Sequence, residues 1–354
     1  ETTAGEIVAL QGGEPTLLGV EFFEAVVELE QKYAGGKTIH NALQTNGTLL
    51  DDAWGSFFAE HKFLIGLSID GPREMHDCYR VDKEQAPTFD RVMRGVDVLK
   101  RNNVDFNTLT VVHRKNSEHP LEVYRFLREI GSGFIQFIPV VERKAAQADA
   151  HGLVLIQPRD AQTAAVTEWS VRPRVYGEFL ARIFDEWVKR DVGKVFVQQF
   201  DVALESWMGL EASLCVFRRT CGSALAMEHT GDVYSCDHYV YPEHKLGNVM
   251  ETPLVEKVQS EQQKRFGKEK ETLLPQMCRR CDVRFACNGE CPKHRFAMAP
   301  DGEPGLNYLC DWYKHFFHHI DPYMQFMAAE LRAGRPPANI MQIVRGGQAK
   351  GARE

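Results

Sequence analysis

No stretch of the chain approaches the roughly 20 consecutive apolar residues that a membrane-spanning helix needs, and the mean hydropathy is −0.34. No membrane partner is expected. Positive charge is not in excess either. Lys and Arg number 42 against 49 Asp and Glu, a net charge of −7 and a pI near 6.0. That balance excludes a general nucleic-acid binder, which presents a basic face. The chain opens Glu1-Thr2-Thr3, without Met and without the basic-then-apolar leader of an exported protein. This reads as a piece that starts inside a longer chain, and a cytoplasmic setting is expected. Cysteine is almost missing from the first half: of nine, only Cys78 precedes position 215, and the other eight lie between Cys215 and Cys310. A disulfide framework belongs to small exported domains, so eight clustered thiols in a chain of 354 residues favour metal ligation.

What is present in the first 200 residues is a repeated strand–helix alternation. Near-continuous apolar runs predict strands at Glu6–Gln11, Thr38–Gln44, Phe63–Ile69, Phe106–Val112, Phe134–Val141 and Val195–Phe200, as for strands buried on both faces of a parallel sheet. Helical spacing marks Val20–Tyr33, Leu49–His61, Phe89–Asn102, Pro120–Ile130 and Val175–Lys189, with Thr88 and Ser117 as expected N-caps for the third and fourth. Such units imply βαβ crossovers, hence a doubly wound sheet or a barrel. Polar turns follow the strands: Gln11-Gly12-Gly13-Glu14-Pro15, Gln44-Thr45-Asn46-Gly47, Ser68-Ile69-Asp70-Gly71-Pro72, His113-Arg114 and Glu142-Arg143. In parallel α/β folds the C-terminal strand ends share one face and bind ligands there, so the five clusters are expected to surround one site. Past residue 210 turns and cysteines replace the periodicity, as in a domain organised by metal. Trp312–Leu331 reads as a last helix, and Ala333–Glu354, rich in Gly, Pro, Ala and Arg, as a disordered tail. The expected division is 1–205, 206–332 and 333–354.

The thiols are spaced Cys215-x5-Cys221-x14-Cys236, then Cys278-x2-Cys281-x5-Cys287-x3-Cys291-x18-Cys310. Eight ligands make two sites of four, suited to zinc or to iron–sulfur clusters. Structural zinc favours two short knuckles per ion, and only Cys278 with Cys281 has that form. The staggered ladder is nearer to iron–sulfur proteins, where one cysteine of a run ligates the other cluster. Spacing alone leaves zinc and, less well, disulfides open. Cys78, with His76 nearby, reads as a small buried hydrophobe rather than a nucleophile.

The turns QGGEP, QTNG and SIDGP, the strand IQFIPVVE (Ile135–Glu142), the Cys ladder and Tyr234-Ser235-Cys236-Asp237 resemble the anaerobic sulfatase-maturating enzymes, radical SAM proteins with a SPASM domain. The resemblance runs from Glu6 to about Tyr323. It implies an α/β fold, a partial (β/α)6 TIM-like radical SAM barrel, plus a C-terminal cysteine-rich SPASM iron–sulfur domain with two auxiliary 4Fe–4S clusters. One cluster would be held by Cys215, Cys221, Cys236 and Cys291, the other by Cys278, Cys281, Cys287 and Cys310. The sequence departs from the family in one respect: no CxxxCxxC motif occurs in it. The first strand and the loop for the SAM-cleaving third cluster are absent, truncation explains this better than evolved loss, and the chain as written is expected not to cleave SAM.

The activity implied is oxidation of a sulfatase Cys or Ser to Cα-formylglycine. A radical derived from S-adenosylmethionine takes hydrogen from the substrate carbon, and a base and an oxidant complete the step. By the resemblance Asp237 is the catalytic base, with His238 the weaker candidate, and its carboxylate is expected near the cluster and away from bulk water. A turn role like that of Asp232 is the plainer reading. Gln11, Gly12, Gly13 and Glu14 would meet the SAM amino group, Ser68 and Arg80 its carboxylate, Arg80 through its bidentate fork. Gln44 and Asn46 would face substrate or ribose, or else cap their turn. The partners implied are an unfolded sulfatase polypeptide and an electron donor such as flavodoxin or ferredoxin. The rival readings are a peptide maturase forming thioether or carbon–carbon crosslinks, and a zinc-stabilised binding module.

Overall fold

The computed structural model describes residues 6–145, 155–156 and 165–351. Their contacts divide into two units, Glu1–Val140 with Asp185–Gln199, and Val141–Phe184 with Phe200–Glu354. The boundary therefore differs from the expected one at 205: residues 141–184 go with the cysteine-bearing part.

In the first unit six strands lie side by side in sequence order, every neighbouring pair parallel: β1 (Glu6–Leu10), β2 (Ile39–Thr45), β3 (Leu64–Ser68), β4 (Phe106–Val112), β5 (Phe134–Pro139) and β6 (Phe196–Val197). The apolar runs explain the sheet: Leu43, Ile65, Leu67, Val112, Ile135, Phe137 and Val197 are all buried, as a layered α/β sheet demands. The connecting helices are α1 (Val20–Tyr33), α2 (Asp52–His61), α3 (Phe89–Arg101) and α4 (Pro120–Glu129). Val92, Val96 and Leu99 bury one face of α3, and Val123, Tyr124 and Leu127 one face of α4, the 3.6-residue stripe of an amphipathic helix. Trp54, Phe57 and Phe58 of α2 meet Phe23 and Phe63 in an aromatic cluster.

Three local expectations are corrected. The sixth strand is short because the chain turns at Gln198 into a helix missed from the sequence, α6 (Gln198–Met208). The Gln199 side-chain amide pairs with both the N–H and the C=O of Phe137 and so takes over where the backbone ladder stops. Thr88 precedes α3 but does not cap it by its side chain. The Asp77 carboxylate accepts from Thr88 N and Phe89 N instead (3.0 and 2.9 Å). Ser117 sits in a buried turn before α4 and bonds to the Arg114 carbonyl.

The second unit carries most of α5 (Pro173–Arg190) and of α6. A three-stranded antiparallel sheet follows, with β8 (Asp232–Tyr234) between β7 (Ala226–Met227) and β9 (Lys245–Asn248). Helices α7 (Leu254–Gln259), α8 (Glu261–Thr272), α9 (Cys310–Arg332) and α10 (Ile340–Gly351) complete it. The unit does not lack an apolar core. Tyr313, Phe316, Phe317, Ile320, Met324 and Met327 form a buried stripe along α9, in ring contact with Tyr176, Phe200 and Phe217. The expected disordered tail is instead largely helical: α10 starts at buried Ile340, and Glu330 binds the Arg335 and Asn339 side chains just before it. Its composition misled because the anchor, Glu330, lies outside the tail.

Two buried imidazoles of the first unit make its stability depend on pH. Burial holds His76 and His113 at about 4 against an ordinary value of 6.5. The Nδ1 of His76 accepts from Asp70 N (3.3 Å), and that of His113 from Lys115 N and Asn116 N (3.2 and 3.3 Å), so both rings are held neutral. A group depressed on folding contributes its full stability above the unfolded value and loses it as pH falls toward the folded one. Thermal unfolding followed by circular dichroism should therefore show Tm dropping from about pH 6.5 to about pH 4. His76→Gln should be less stable at pH 7 and respond less steeply to acid. An unchanged acid slope in that variant would assign the pH dependence elsewhere.

Candidate functional site

The first four polar turns all emerge from the C-terminal ends of adjacent parallel strands of the first unit, and side chains stitch them together. Glu14, after β1, accepts from Thr16 N and Oγ1 (3.1 and 2.6 Å) and from Thr45 Oγ1 (2.7 Å) at Oε1, and from Asn46 N (2.7 Å) at Oε2. It thus locks the first turn onto the second. A carboxylate offers about four lone-pair sites, so a ligand ammonium has room chiefly at Oε2. Gln11, Gly12 and Gly13 are exposed, with φ of +95° at Gly12 and +56° at Gly13. Glycine takes this backbone freely, and no atom lies within 4 Å of where a Cβ would stand, so backbone N–H groups are open to a ligand.

At the second turn Gln44 is exposed. Asn46 Oδ1 accepts from Thr48 N and Oγ1 (2.9 and 2.7 Å), the turn-capping geometry of an Asx turn. Gly47 is obligatory: φ is +73°, and a Cβ would stand 2.4 Å from Leu67 Cδ1. At the third turn Ser68 is half-buried at the end of β3. The fork of Arg80 is taken: Nε and Nη2 donate to Asp70 Oδ2 and Oδ1 (2.6 and 3.1 Å). Asp70 also accepts from Val111 N at Oδ1 (2.9 Å). The expected bidentate grip of Arg80 on a ligand carboxylate is therefore corrected, because an internal carboxylate already fills it. Sequence reading missed Asp70; its signal was the Asp-Gly-Pro of the turn. Cys78 donates to Met75 O (3.0 Å), and burial raises its thiol pKa, consistent with an unreactive cysteine. The fifth turn lies in the second unit, where Glu142 Oε1 accepts from Lys293 Nζ (2.6 Å).

None of the nine cysteines is in a disulfide. Cys278, Cys281, Cys287 and Cys310 line one cavity of about 110 Å³, with Met277, Val283 and Asn307. That is room for much more than one water molecule. Cys278 and Cys287 come from two one-turn helices, Gln276–Arg279 and Arg284–Cys287, Cys281 from the turn between them, and Cys310 is the first residue of α9. The remaining four are Cys215, Cys221, Cys236 and Cys291, of which Cys291 is buried. Burial pushes the Cys287 thiol up to about 12 and raises Cys215, Cys236 and Cys291 as well. Among the described residues no three His, Cys, Asp or Glu converge as a single metal ion requires. A four-iron cluster is wider than an ion, and the cavity lined by Cys278, Cys281, Cys287 and Cys310 offers four thiols around open space of that kind.

Asp237 follows Cys236, whose Sγ donates to its Oδ1 (3.1 Å), as does His238 N (3.0 Å). The carboxylate is exposed, which corrects the expectation that it is shut away from water. The His238 ring, half-buried, has its Nδ1 3.5 Å from Cys291 Sγ.

Sequence reading also missed the polar face of α8, which grips the backbone around the first quartet. Gln263 Nε2 donates to Gly222 O and Ser235 O (3.0 and 3.1 Å), Gly267 O accepts from Cys221 N (3.1 Å), and Lys270 Nζ donates to Cys215 O and Val216 O (2.6 and 2.8 Å). The helix itself was not expected from the sequence; it has a single large apolar residue, Phe266, and its other buried residues include Gln263, Gly267 and Lys270.

Comparison with known proteins matches residues 3–127 to the Radical SAM superfamily and residues 215–282 to an iron–sulfur cluster-binding domain (SPASM). The Serine-type anaerobic sulfatase-maturating enzyme of Bacteroides thetaiotaomicron is 49% identical over 339 residues, covering 96% of this chain and 81% of that protein. The Cysteine-type enzyme of Clostridium perfringens is 34% identical over 331 residues, 92% of this chain and 84% of its own. A solved structure of native anSMEcpe with bound AdoMet and Cp18Cys peptide superposes with a TM-score of 0.81 at 33% identity, covering 93% of this chain and 87% of that one. With its parallel strand-end turns in one unit and its eight clustered cysteines in the other, the chain belongs to the anaerobic sulfatase-maturating enzyme family.

Proposed function

We propose that this chain serves the radical oxidation of a sulfatase's Ser or Cys to Cα-formylglycine, with an unfolded sulfatase polypeptide as substrate and a flavodoxin- or ferredoxin-type donor supplying electrons. The observation that carries the reading is Asp237 bonded to the thiol of Cys236, in a chain aligned over 96% of its length with a sulfatase maturase. Likeness to the Streptococcus suis SuiB structure, TM-score 0.54 at 13% identity, extends to the fold alone, so crosslinking of peptides is the second reading.

In this reading the open N–H groups of the Gln11–Gly13 turn, Glu14 Oε2 and Ser68 hold S-adenosylmethionine. Arg80, its fork spent on Asp70, shapes that wall and offers Nη1. Gln44 and the outward side of Asn46 meet substrate or ribose. Cys215, Cys221, Cys236 and Cys291 hold one auxiliary 4Fe–4S cluster, and Cys278, Cys281, Cys287 and Cys310 the other. Bound there, these groups supply hydrogen abstraction and electron transfer that side chains cannot perform. The protein's part is to hold the reacting groups in place and to take a proton. Asp237 Oδ2, the oxygen without a partner among the described residues, receives the proton lost as the substrate carbon is oxidised.

The first test is composition. The anaerobically reconstituted chain should be brown, absorb near about 400 nm and bind about eight iron atoms; two zinc ions and no iron would favour the binding-module reading. Because no CxxxCxxC motif is in the sequence, the chain alone should form no 5′-deoxyadenosine. Joined to the motif-bearing segment of the Bacteroides relative, it should convert a Cys-x-Pro-x-Arg peptide with a loss of about 18 Da, or the serine peptide with a loss of about 2 Da. A thioether product would select the rival. In that joined protein Asp237→Asn should keep 5′-deoxyadenosine formation while lowering formylglycine by roughly 10²-fold or more; equal yields would remove Asp237 from the mechanism. Gly267→Ala would put a Cβ 2.5 Å from the Cys221 carbonyl oxygen. It should cost the first quartet its cluster and about half the iron, measured by iron analysis; full iron loading would show that α8 does not template that site.

A further inference from the structure

Lys270 is 1% exposed, and no carboxylate lies within ion-pairing distance of it among the described residues. Two backbone carbonyls, Cys215 O and Val216 O, take two of its three N–H donors (2.6 and 2.8 Å). A buried ammonium with neutral partners only is costly, and alanine or leucine would fill the space more cheaply. The carbonyls it holds belong to the loop that carries Cys215 and Cys221. The other charges facing this region are Arg295, whose guanidinium donates to the carbonyls of Gly289, Lys270, Asn288 and Glu290, and Glu290, whose carboxylate is held by His294 and Asn307. The carboxylate here is thus already committed to other partners, and the lysine is left to the backbone of the loop that carries two of the thiols.

A four-iron cluster on four thiolates is anionic in both oxidation states and more so when reduced. A fixed cation beside it therefore stabilises the reduced form more and raises the potential, since charge and hydrogen bonding around the sulfurs set cluster potentials. We propose that Lys270 is the charge-compensating positioning residue of the first quartet, its ammonium fixed over the Cys215–Cys221 loop to offset the charge of a bound cluster and hold that cluster's reduction potential up. The inference rests on the reading of Cys215, Cys221, Cys236 and Cys291 as a cluster site.

The test is an anaerobic redox titration of the reconstituted chain followed by electron paramagnetic resonance, on the wild type and on Lys270→Gln, Lys270→Met and Lys270→Arg. Iron analysis comes first: a wild type that binds no iron sinks the cluster reading itself. With two clusters loaded, Lys270→Gln and Lys270→Met should move one of the two midpoint potentials to more negative values and leave the other in place, while Lys270→Arg keeps both. Unmoved potentials in the neutral variants, or equal movement of both, would overturn the inference and leave the cluster reading standing. If the neutral variants lose the first cluster, arginine decides: recovery of iron in Lys270→Arg but not in Lys270→Gln, which also donates hydrogen bonds, shows that charge is required. Loss in Lys270→Arg as well would make the lysine a packing element and overturn the proposal.

Discussion

The second unit depends on placing thiols that come from chain segments with little regular structure of their own. Cys215 and Cys221 lie on an irregular loop with one short 3₁₀ turn, Cys236 follows a three-residue strand, and Cys291 sits between one-turn helices. Secondary structure alone does not fix such a loop. What fixes it here is the polar face of α8, which binds the carbonyls and N–H groups of the loops directly. The aromatic stripe of α9 gives the unit an apolar core of its own.

The first unit solves a simpler problem with the same means. Parallel strands deliver their ends to one edge of the sheet, but a strand end is followed by free backbone. Glu14 ties the first turn to the second, and Asp70 ties the third to the start of the fourth through Val111 N and Arg80. Two carboxylates that a motif reading assigns outward to a ligand, or overlooks, are thus largely turned inward. The groups left facing outward are backbone amides, a serine, an amide side chain and part of each anchored residue.

How much of this was legible in the sequence follows from range. The strands and α1 to α5 were readable because burial of one stripe or of a whole run is a local pattern. The Cys ladder pointed to metal ligation, while its division into two quartets is what the family resemblance implies, since spacing alone does not say which cysteine crosses to which site. What stayed hidden depends on partners far away in sequence. Asp77 caps α3 across a loop, Gln199 completes the edge of β5, Glu330 anchors α10, and the fork of Arg80 closes on Asp70. Each of these residues has an ordinary solvent-facing reading until its partner is known. Asp237 failed in the opposite direction: adjacency to Cys236 placed it correctly beside a thiol, but adjacency carries no information on exposure.

Gly95, in the middle of α3, gives the close approach of that helix a wider meaning. A Cβ there would stand 2.4 Å from the carbonyl oxygen of Gly47, so the helix presses its bare backbone on the turn that also contains Gln44 and Asn46. An interior helix glycine ordinarily counts as a weakness to be repaired with alanine. Here that repair would shove the Gln44–Gly47 turn sideways. Efforts to make the protein hardier by consensus-style helix substitutions would therefore trade robustness against the geometry of that turn.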